Sequence, residues 1–248
     1  MKRFIIAILL VCFLVPYSEA QIWKRKRYEL TFGVGPSQFF GDIGGYSKGK
    51  NLLGLKDISL SQTRFNANIN IAYRNTQFVT TRLSLTYGSF HSTDSRGSNE
   101  TRGFDAVTSF LEPALIEEYY FSKHKGERSY LLVKRGEGTF GDMLRALDFY
   151  VFAGVGGIYY NVKGNDLLLP RMGKPNGVAV IIPAGIGGTL IYTPNVNFGF
   201  EFGGRYSFSD NLDGFTSQYS KSNDVYYFLN FTLTYKLKTG ARGFFSLR

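Results

Sequence analysis

The stretch VYYFLNFTLTYKL, residues 225–237, alternates between two kinds of side chain along nearly its whole length. One face would carry Val225, Tyr227, Leu229, Phe231, Leu233, Tyr235 and Leu237, and the other Tyr226, Phe228, Asn230, Thr232, Thr234 and Lys236. Because successive strand side chains point to opposite sides, this period of two predicts a β-strand. A soluble sheet would bury the apolar face, whereas a membrane barrel gives it to lipid and turns the polar face to a lumen.

Seven further segments have strand chemistry, namely residues 27–35, 63–74, 78–89, 105–121, 148–162, 178–192 and 196–208. The clearest is 63–74, which places three asparagines and two arginines on a single face. Segment 105–121 is less regular, because Ile116 and Glu117 break the alternation and Pro113 predicts a bulge or a local irregularity. Segments 148–162 and 178–192 are partly apolar on both faces, so their β-branched and aromatic content assigns them as strands.

Eight alternating segments without a comparable helical period predict an all-β fold, an eight-stranded antiparallel transmembrane β-barrel of outer-membrane type. Closure of the barrel removes the edges that invite aggregation. With an even strand number, connections 36–62, 90–104, 163–177 and 209–224 face outward, and 75–77 and 193–195 are short inward turns. Connection 122–148 is then an inward one of unusual length. A soluble two-sheet sandwich is the alternative.

The inward faces of these strands would hold four acids and five bases that can pair within one narrow lumen. The residues are Glu29, Arg64, Arg74, Arg82, Glu112, Glu118, Glu201, Arg205 and Lys236. An eight-stranded barrel is narrow enough for side chains to fill. We therefore expect a filled, non-conducting lumen.

The first twenty residues predict a signal peptide, since Lys2 and Arg3 precede an apolar run that ends in Ser18-Glu19-Ala20. The barrel then covers residues 21–237, and 238–248 form a periplasmic tail. The prediction places the chain in the outer membrane with both mature termini in the periplasm. Cys12, the only cysteine, lies in the leader, so thiolate chemistry is not expected in the mature chain.

The net charge of +10 falls to +9 when two bases and one acid leave with the leader. An exported basic protein is not expected to meet nucleic acid. The basic residues cluster near the mature N-terminus and in connection 122–148, which offers two interpretations, a rim beside anionic lipid headgroups or a periplasmic docking surface. The candidate docking residues are Lys24, Arg25, Lys26, Arg27, Arg128, Tyr130, Leu131, Leu132, Lys134 and Arg135.

Motifs for catalysis or cofactors are weak. GVGG (154–157) and GIGG (185–188) do not complete a dinucleotide fingerprint, and their glycines are better explained by side chains crossing a narrow barrel. His91 with Ser89 or Ser92 and Asp94 would need converging geometry to act as a triad. Acids at 210, 213 and 224 could form a weak calcium site but lack EF-hand spacing. We therefore expect no catalysis, cofactor or metal.

Several segments give the chain a resemblance to a known family. They are YELTFGVGPSQFFGDIGG (28–45), RFNANINIAYR (64–74), YVFAGVGGIYYN (150–161), IPAGIGGTLIYTPNVNFGFEFGGRYSFSDNLDG (182–214) and NDVYYFLNFTLTYKL (223–237). The chain resembles the outer-membrane β-barrel family of Bacteroidetes that includes PorG, a component of the type IX secretion and gliding machinery. The resemblance implies a non-catalytic barrel that contacts outer-membrane lipid and anchors the periplasmic ring of secretion proteins, a lipoprotein and its partner. A general structural or adhesive barrel that binds surface partners through its outward loops is the alternative.

Overall fold

The computed structural model describes residues 22–44, 58–95, 99–123, 129–130, 146–216, 223–240 and 243–246. The predicted leader, 1–20, lies outside them. Eight strands follow a short 3₁₀ helix, Ile22–Arg25: β1 Tyr28–Phe40, β2 Arg64–Arg74, β3 Val79–Thr93, β4 Asp105–Ser122, β5 Leu147–Gly164, β6 Asn176–Ile191, β7 Val196–Ser207 and β8 Val225–Thr239. A two-residue strand, β9 Phe245–Ser246, pairs with the end of β8. No helix among these residues is long and apolar enough to cross a membrane.

Each strand pairs antiparallel with the next, and β8 returns to pair with β1, which closes the sheet into a barrel. Following the paired residues once around from Tyr28 leads back to β1 at Gln38, ten positions farther along, so the shear number is 10. Shear of this size tilts the strands by roughly 40°. We call the end that carries residues 22–27 and 238–246 the terminal end, and the opposite end the loop end.

The outer surface is an apolar belt between two rows of aromatic side chains. The terminal-end row contains Tyr28, Tyr73, Tyr119, Phe149, Phe198 and Tyr235, and the loop-end row contains Phe65, Tyr87, Tyr159, Tyr206 and Tyr227. Tyr73 and Phe65 lie eight residues apart on β2, which corresponds to about 20 Å along the barrel axis for a tilted strand. Between the rows, side chains such as Ile71, Leu83 and Phe231 are about 60% exposed. This height and polarity match the lipid-facing band of outer-membrane barrels.

Strand β4 contains the local irregularity that the sequence predicts at Pro113, and a second one near its end. Pro113 pairs regularly with Leu85 of β3, but the pairing of β4 with β5 skips Glu112 and Pro113. The register shift lies between Tyr120 and Ser122, where β4 meets β5. Proline has no backbone N–H to donate, so it is tolerated at this gap, and β4 and β5 resume the same register on either side of it.

Large inward side chains of β5 lie over glycines of the neighbouring strand, β6, which pair with them. A Cβ added to Gly187 would lie 2.3 Å from Cζ of Tyr150, and one added to Gly185 would lie 2.7 Å from Cζ of Phe152. The GIGG segment therefore makes room for two large inward rings of β5. This agrees with the structural interpretation of its glycines.

Candidate functional site

Arg82 forms the centre of an ion-pair network in the terminal-end half of the lumen. Its Nη1 lies 2.8 Å from Oε1 of Glu118, and its guanidinium binds both oxygens of Glu201, with Nη2 to Oε2 at 3.0 Å. Tyr150 donates to Glu201 at 2.5 Å, and Tyr120 donates to Glu118 at 3.1 Å. All three charged side chains are buried. One buried cation thus forms ion pairs with two acids, and three separate strands carry these three side chains into the lumen.

Two further ion pairs lie in the same lumen. Arg205 approaches Glu112 at 3.5 Å, and Tyr226 donates to the other oxygen of Glu112 at 2.6 Å. Near the terminal end, Nε of Arg74 lies 3.9 Å from Glu29. The structure therefore brings seven of the nine predicted lumen charges into ion pairs.

The other two predicted lumen charges have different positions. Lys236 is buried and lines a polar cavity of about 30 Å³ at the terminal end, together with Glu29, Glu118 and Glu201. Arg64 stands at the loop-end rim, where its guanidinium donates to the backbone carbonyls of residues 61 and 63. Placing Arg64 in the network is therefore wrong, because it begins β2 and its side chain bends back to the preceding turn.

Sequence reasoning missed four polar lumen residues, which are Lys123, Asp148, Tyr120 and Tyr150, and gave no role to Tyr226, which it had placed on the lumen-facing side. The tyrosine hydroxyls donate hydrogen bonds to the oxygens of the buried carboxylates. Burial lowers the pKa of Lys123, just beyond β4, to about 8. Asp148 could have been found from its spacing of two from Tyr150 on one face of β5, had that strand's apolar composition not concealed its alternation.

The loop-end half of the lumen is filled by an aromatic plug instead of charges. Phe90 stacks on Phe110 with ring centroids 4.3 Å apart, and Phe228 lies 5.7 Å from Phe110. The connections at the loop end add apolar side chains to the same cluster, namely Ile43, Phe104, Leu168 and Leu212. The plug and the charge network together leave no wide passage along the described part of the barrel.

Buried acids fasten the loop-end connections over this plug. Asp94 binds the Arg102 guanidinium at 2.7 and 2.8 Å and accepts a hydrogen bond from the Gly44 amide at 2.9 Å. Asp213 accepts bonds from the amides of residues 43 and 215 at 3.0 Å, and Asp224 from that of residue 212 at 2.8 Å. Burial raises the pKa of Asp213 to about 7, and burial together with the charge of Asp213 raises the pKa of Asp224.

The alternative chemical sites do not assemble in the part of the chain that the structure describes. His91 contacts Asp105 at 3.1 Å, whereas the predicted partner Asp94 is held by Arg102. No group of three or more acidic, histidine or cysteine side chains there could hold a metal ion. Asp213 and Asp224, in the connection between β7 and β8, bind backbone amides instead.

The basic residues of the terminal end differ in whether their side chains are bound to the barrel. Lys24 and Arg25 are exposed. Lys26 donates at 2.6 Å to the carbonyl of residue 194 and to Asn195, and Arg27 donates to the Tyr73 hydroxyl at 2.8 Å. These last two residues fasten the N-terminal segment to the barrel. Tyr130 is half-buried, and the other predicted docking residues, Arg128, Leu131, Leu132, Lys134 and Arg135, lie outside the described residues.

Comparisons with known proteins find likeness at the level of the fold. No protein-family model and no curated protein matches the chain. The N-terminal β-barrel domain of Pseudomonas aeruginosa OprF matches at 13% identity over 85% of this chain and 98% of that domain, with a TM-score of 0.44. Neisserial surface protein A matches at 13% over 84% and 96%, with a TM-score of 0.44, and the outer membrane enzyme PagL at 10% over 84% and 98%, with a TM-score of 0.38.

These comparisons concern the barrel alone, so the expected lack of catalysis stays a prediction. The structural class follows from the architecture of the barrel. The sheet is closed, the exposed surface is an apolar belt with aromatic rows, and charged residues occupy the interior. A soluble protein of this kind would present its apolar face to water, which is unfavourable over so large a surface. The chain is an eight-stranded antiparallel β-barrel of the outer-membrane type.

Proposed function

We propose that this chain is a non-catalytic anchor in the outer membrane, whose terminal end faces the periplasm and binds other proteins. The observation that carries this proposal is the filled lumen. The cavity of about 30 Å³ has room for roughly two ordered waters, which is too little for a conducting pore. With the interior occupied by its own side chains, the barrel can act through its two end surfaces.

The partner that we propose is the periplasmic ring of the type IX secretion system, a lipoprotein and its partner. Support for this comes from the resemblance of segments such as 28–45 and 182–214 to the family that includes PorG. The positions of those segments in the barrel are compatible with it, since 28–40 and 182–207 form β1 and parts of β6 and β7. In this proposal the barrel holds the ring beneath the outer membrane.

The docking surface must consist of basic residues whose side chains are not already bound to the barrel. Lys24 and Arg25 are exposed at the terminal end, whereas Lys26 and Arg27 hold the N-terminal segment in place. Charge reversal at Lys24 and Arg25 should therefore weaken the binding of a partner protein without unfolding the barrel. Charged residues at an interface rim act chiefly on association rate and its salt dependence.

The test is affinity purification of the tagged protein from detergent-solubilised outer membrane, followed by identification of co-purifying proteins. Wild type should bring down periplasmic secretion proteins, and the variant Lys24→Glu/Arg25→Glu should lose most of them. A matched control, Lys163→Glu/Lys174→Glu, reverses two exposed charges at the loop end and should retain them. A deletion strain that secretes all its cargo normally would remove the secretion role and leave the anchor role standing.

A second function, adhesion through the outward connections, has one observation in its favour. Leu60, Leu167 and Leu169 are 92%, 60% and 50% exposed at the loop end. Replacing residues 124–145 by a short turn separates the two functions, because it leaves β4, β5 and the loop end unchanged. Loss of secretion would support docking at the terminal end, whereas normal secretion with loss of adhesion in a Leu60→Ser/Leu167→Ser variant would favour the loops.

A further inference from the structure

Glu117 breaks the polarity rule of the outer surface. On β4 it points outward between Leu115 and Tyr119, which are 56% and 55% exposed. Its register partners on the neighbouring strands, Thr81 and Ala153, also face outward. Between the two aromatic rows, it is the one charged side chain that the described strands turn toward lipid.

Two neutral donors orient this carboxylate. Thr81 Oγ1 donates to Oε2 of Glu117 at 2.6 Å, and Asn75 Nδ2 lies 3.4 Å from Oε1. Asn75 also donates to Thr81 at 2.5 Å, so the three side chains form one hydrogen-bonded row. No lysine or arginine among the described residues forms an ion pair with Glu117. The carboxylate is therefore positioned but its charge is not balanced.

The position of this row along the barrel axis limits what can reach it. Glu117 stands two residues, about 5 Å, inside the terminal-end aromatic row at Tyr119. Asn75 belongs to the turn between β2 and β3, at the boundary itself. The carboxylate consequently sits just within the edge of the hydrocarbon layer, at a depth that lipid headgroups reach more easily than soluble ligands do.

An acid at this position is unfavourable unless it binds something, and ionisable residues that face a membrane interior commonly mark a site. Anionic lipids and phosphates are excluded by charge. A cationic side chain of another membrane protein would itself have to be placed in the lipid, whereas a lipid amine already lies at the boundary. A primary ammonium also offers three hydrogen-bond donors to the two carboxylate oxygens.

We propose that Glu117, oriented by Thr81 and Asn75, binds the primary ammonium group of a phosphatidylethanolamine headgroup in the terminal-end leaflet. The rings of Tyr119 and Phe121, 55% and 61% exposed, flank the site on its boundary side, and Leu115, 56% exposed, lies on the deeper side, where the acyl chains run. The site is independent of the proposed secretion role. It would exist whether or not the terminal end binds a protein.

The experiment compares lipids that differ only in three methyl groups. The full mature chain is placed in nanodiscs that contain equal amounts of phosphatidylethanolamine and phosphatidylcholine, and native mass spectrometry measures which lipid the released barrel retains. Trimethylammonium cannot donate hydrogen bonds. A charge-assisted bond of ordinary strength should therefore give the wild type about a tenfold preference for the ethanolamine lipid.

Glu117→Gln should abolish that preference, and Thr81→Val should reduce it, with Thr81→Ser restoring it. Asp105→Asn, an outward acid at the loop end of the same strand, serves as the control and should behave like the wild type. Heat-modifiable gel migration confirms that each variant is folded. Equal retention of both lipids by the wild type, or an unchanged preference in Glu117→Gln, would overturn the proposal. So would loss of a co-purifying membrane protein from Glu117→Gln without any change in lipid retention.

Discussion

Replacing Arg82 by methionine should be the most damaging single change in the lumen. Methionine fills a comparable volume, but it leaves the carboxylates of Glu118 and Glu201 buried without their cation. Removing one partner of a buried ion pair typically costs about 3–5 kcal/mol of unfolding free energy, much of it from the charge left behind. Here two acids lose the same partner, so we expect at least about 4 kcal/mol.

Urea unfolding in lipid vesicles, followed by gel migration, measures this loss. With a denaturant slope of about 2 kcal/mol per molar urea, a loss of about 4 kcal/mol lowers the unfolding midpoint by about 2 M. Arg64→Met is the matched control. Its guanidinium bonds only to backbone carbonyls at the rim, so the midpoint should move by less than about 0.3 M.

The ionic origin of the effect can be checked separately. Adding Glu118→Gln and Glu201→Gln to Arg82→Met should recover a large part of the lost stability, because the two carboxylates that lost their cation are then removed as well. If Arg82→Met and Arg64→Met shifted the midpoint equally, the network would contribute no more than an exposed side chain. The assignment of Arg82 as its centre would then be wrong.

Three other predictions concern the two ends of the barrel. The pKa of Asp213, raised to about 7, and the raised pKa of Asp224 mean that the folded loops hold protons more tightly than unfolded ones. The stability of the loops, measured by hydrogen exchange, should therefore fall as pH rises from about 4 to 7. Asp213→Asn should flatten this dependence on pH. The chain's single tryptophan, Trp23, should be quenched by brominated phospholipids and not by acrylamide if the terminal end meets the membrane boundary. Planar bilayers should show no channel openings with the wild type. Phe90→Ala/Phe228→Ala should also stay closed, since the ion-pair network still fills the terminal-end half of the lumen when the plug loses two stacked rings. Openings in wild type would contradict a sealed barrel.

The barrel and its facing were readable from the sequence because they depend on local alternation. A period of two with an apolar outer face determines which side each residue takes, and closure follows from eight such segments. Segment 225–237 shows this well, since Asn230 and Lys236 are buried and Phe231 is 61% exposed. The same logic, applied strand by strand, gave the inward acids and bases.

The pairing inside the lumen was not readable, because it depends on tilt and shear. Arg82 meets Glu201 across 119 positions of sequence, and its neighbour Glu118 comes from β4. Which inward residues lie at the same height is decided by the ten-residue shear, a property of the closed sheet. Arg64 has the same facing as Arg74, yet it lies at the rim, since its strand begins there.

The aromatic plug was missed for a related reason. The alternation appeared to end at residue 89, so Phe90 was counted with the outward connection, whereas β3 runs on to Thr93. Phe90 continues the inward face of that strand, and its ring is 1% exposed. Strands that project beyond the lipid belt need no apolar outer face, so their alternation fades in sequence while their pairing continues.

The break in alternation at Ile116 and Glu117 has a physical explanation that a single strand could not provide. Ile116 faces the lumen at 1% exposure, and Glu117 faces outward. An apolar and a charged residue therefore each occupy the face on which the rest of β4 carries the opposite kind of side chain. A slip of one residue would restore both to the expected sides, but it would also turn Glu112 and Glu118 out of the lumen. Their buried bonds to Arg205 and Arg82 hold the register against that slip. Glu117 is thus kept toward lipid by two charged residues that face the lumen. A residue that breaks the alternation of its strand while the strand keeps its register is where a binding site is expected.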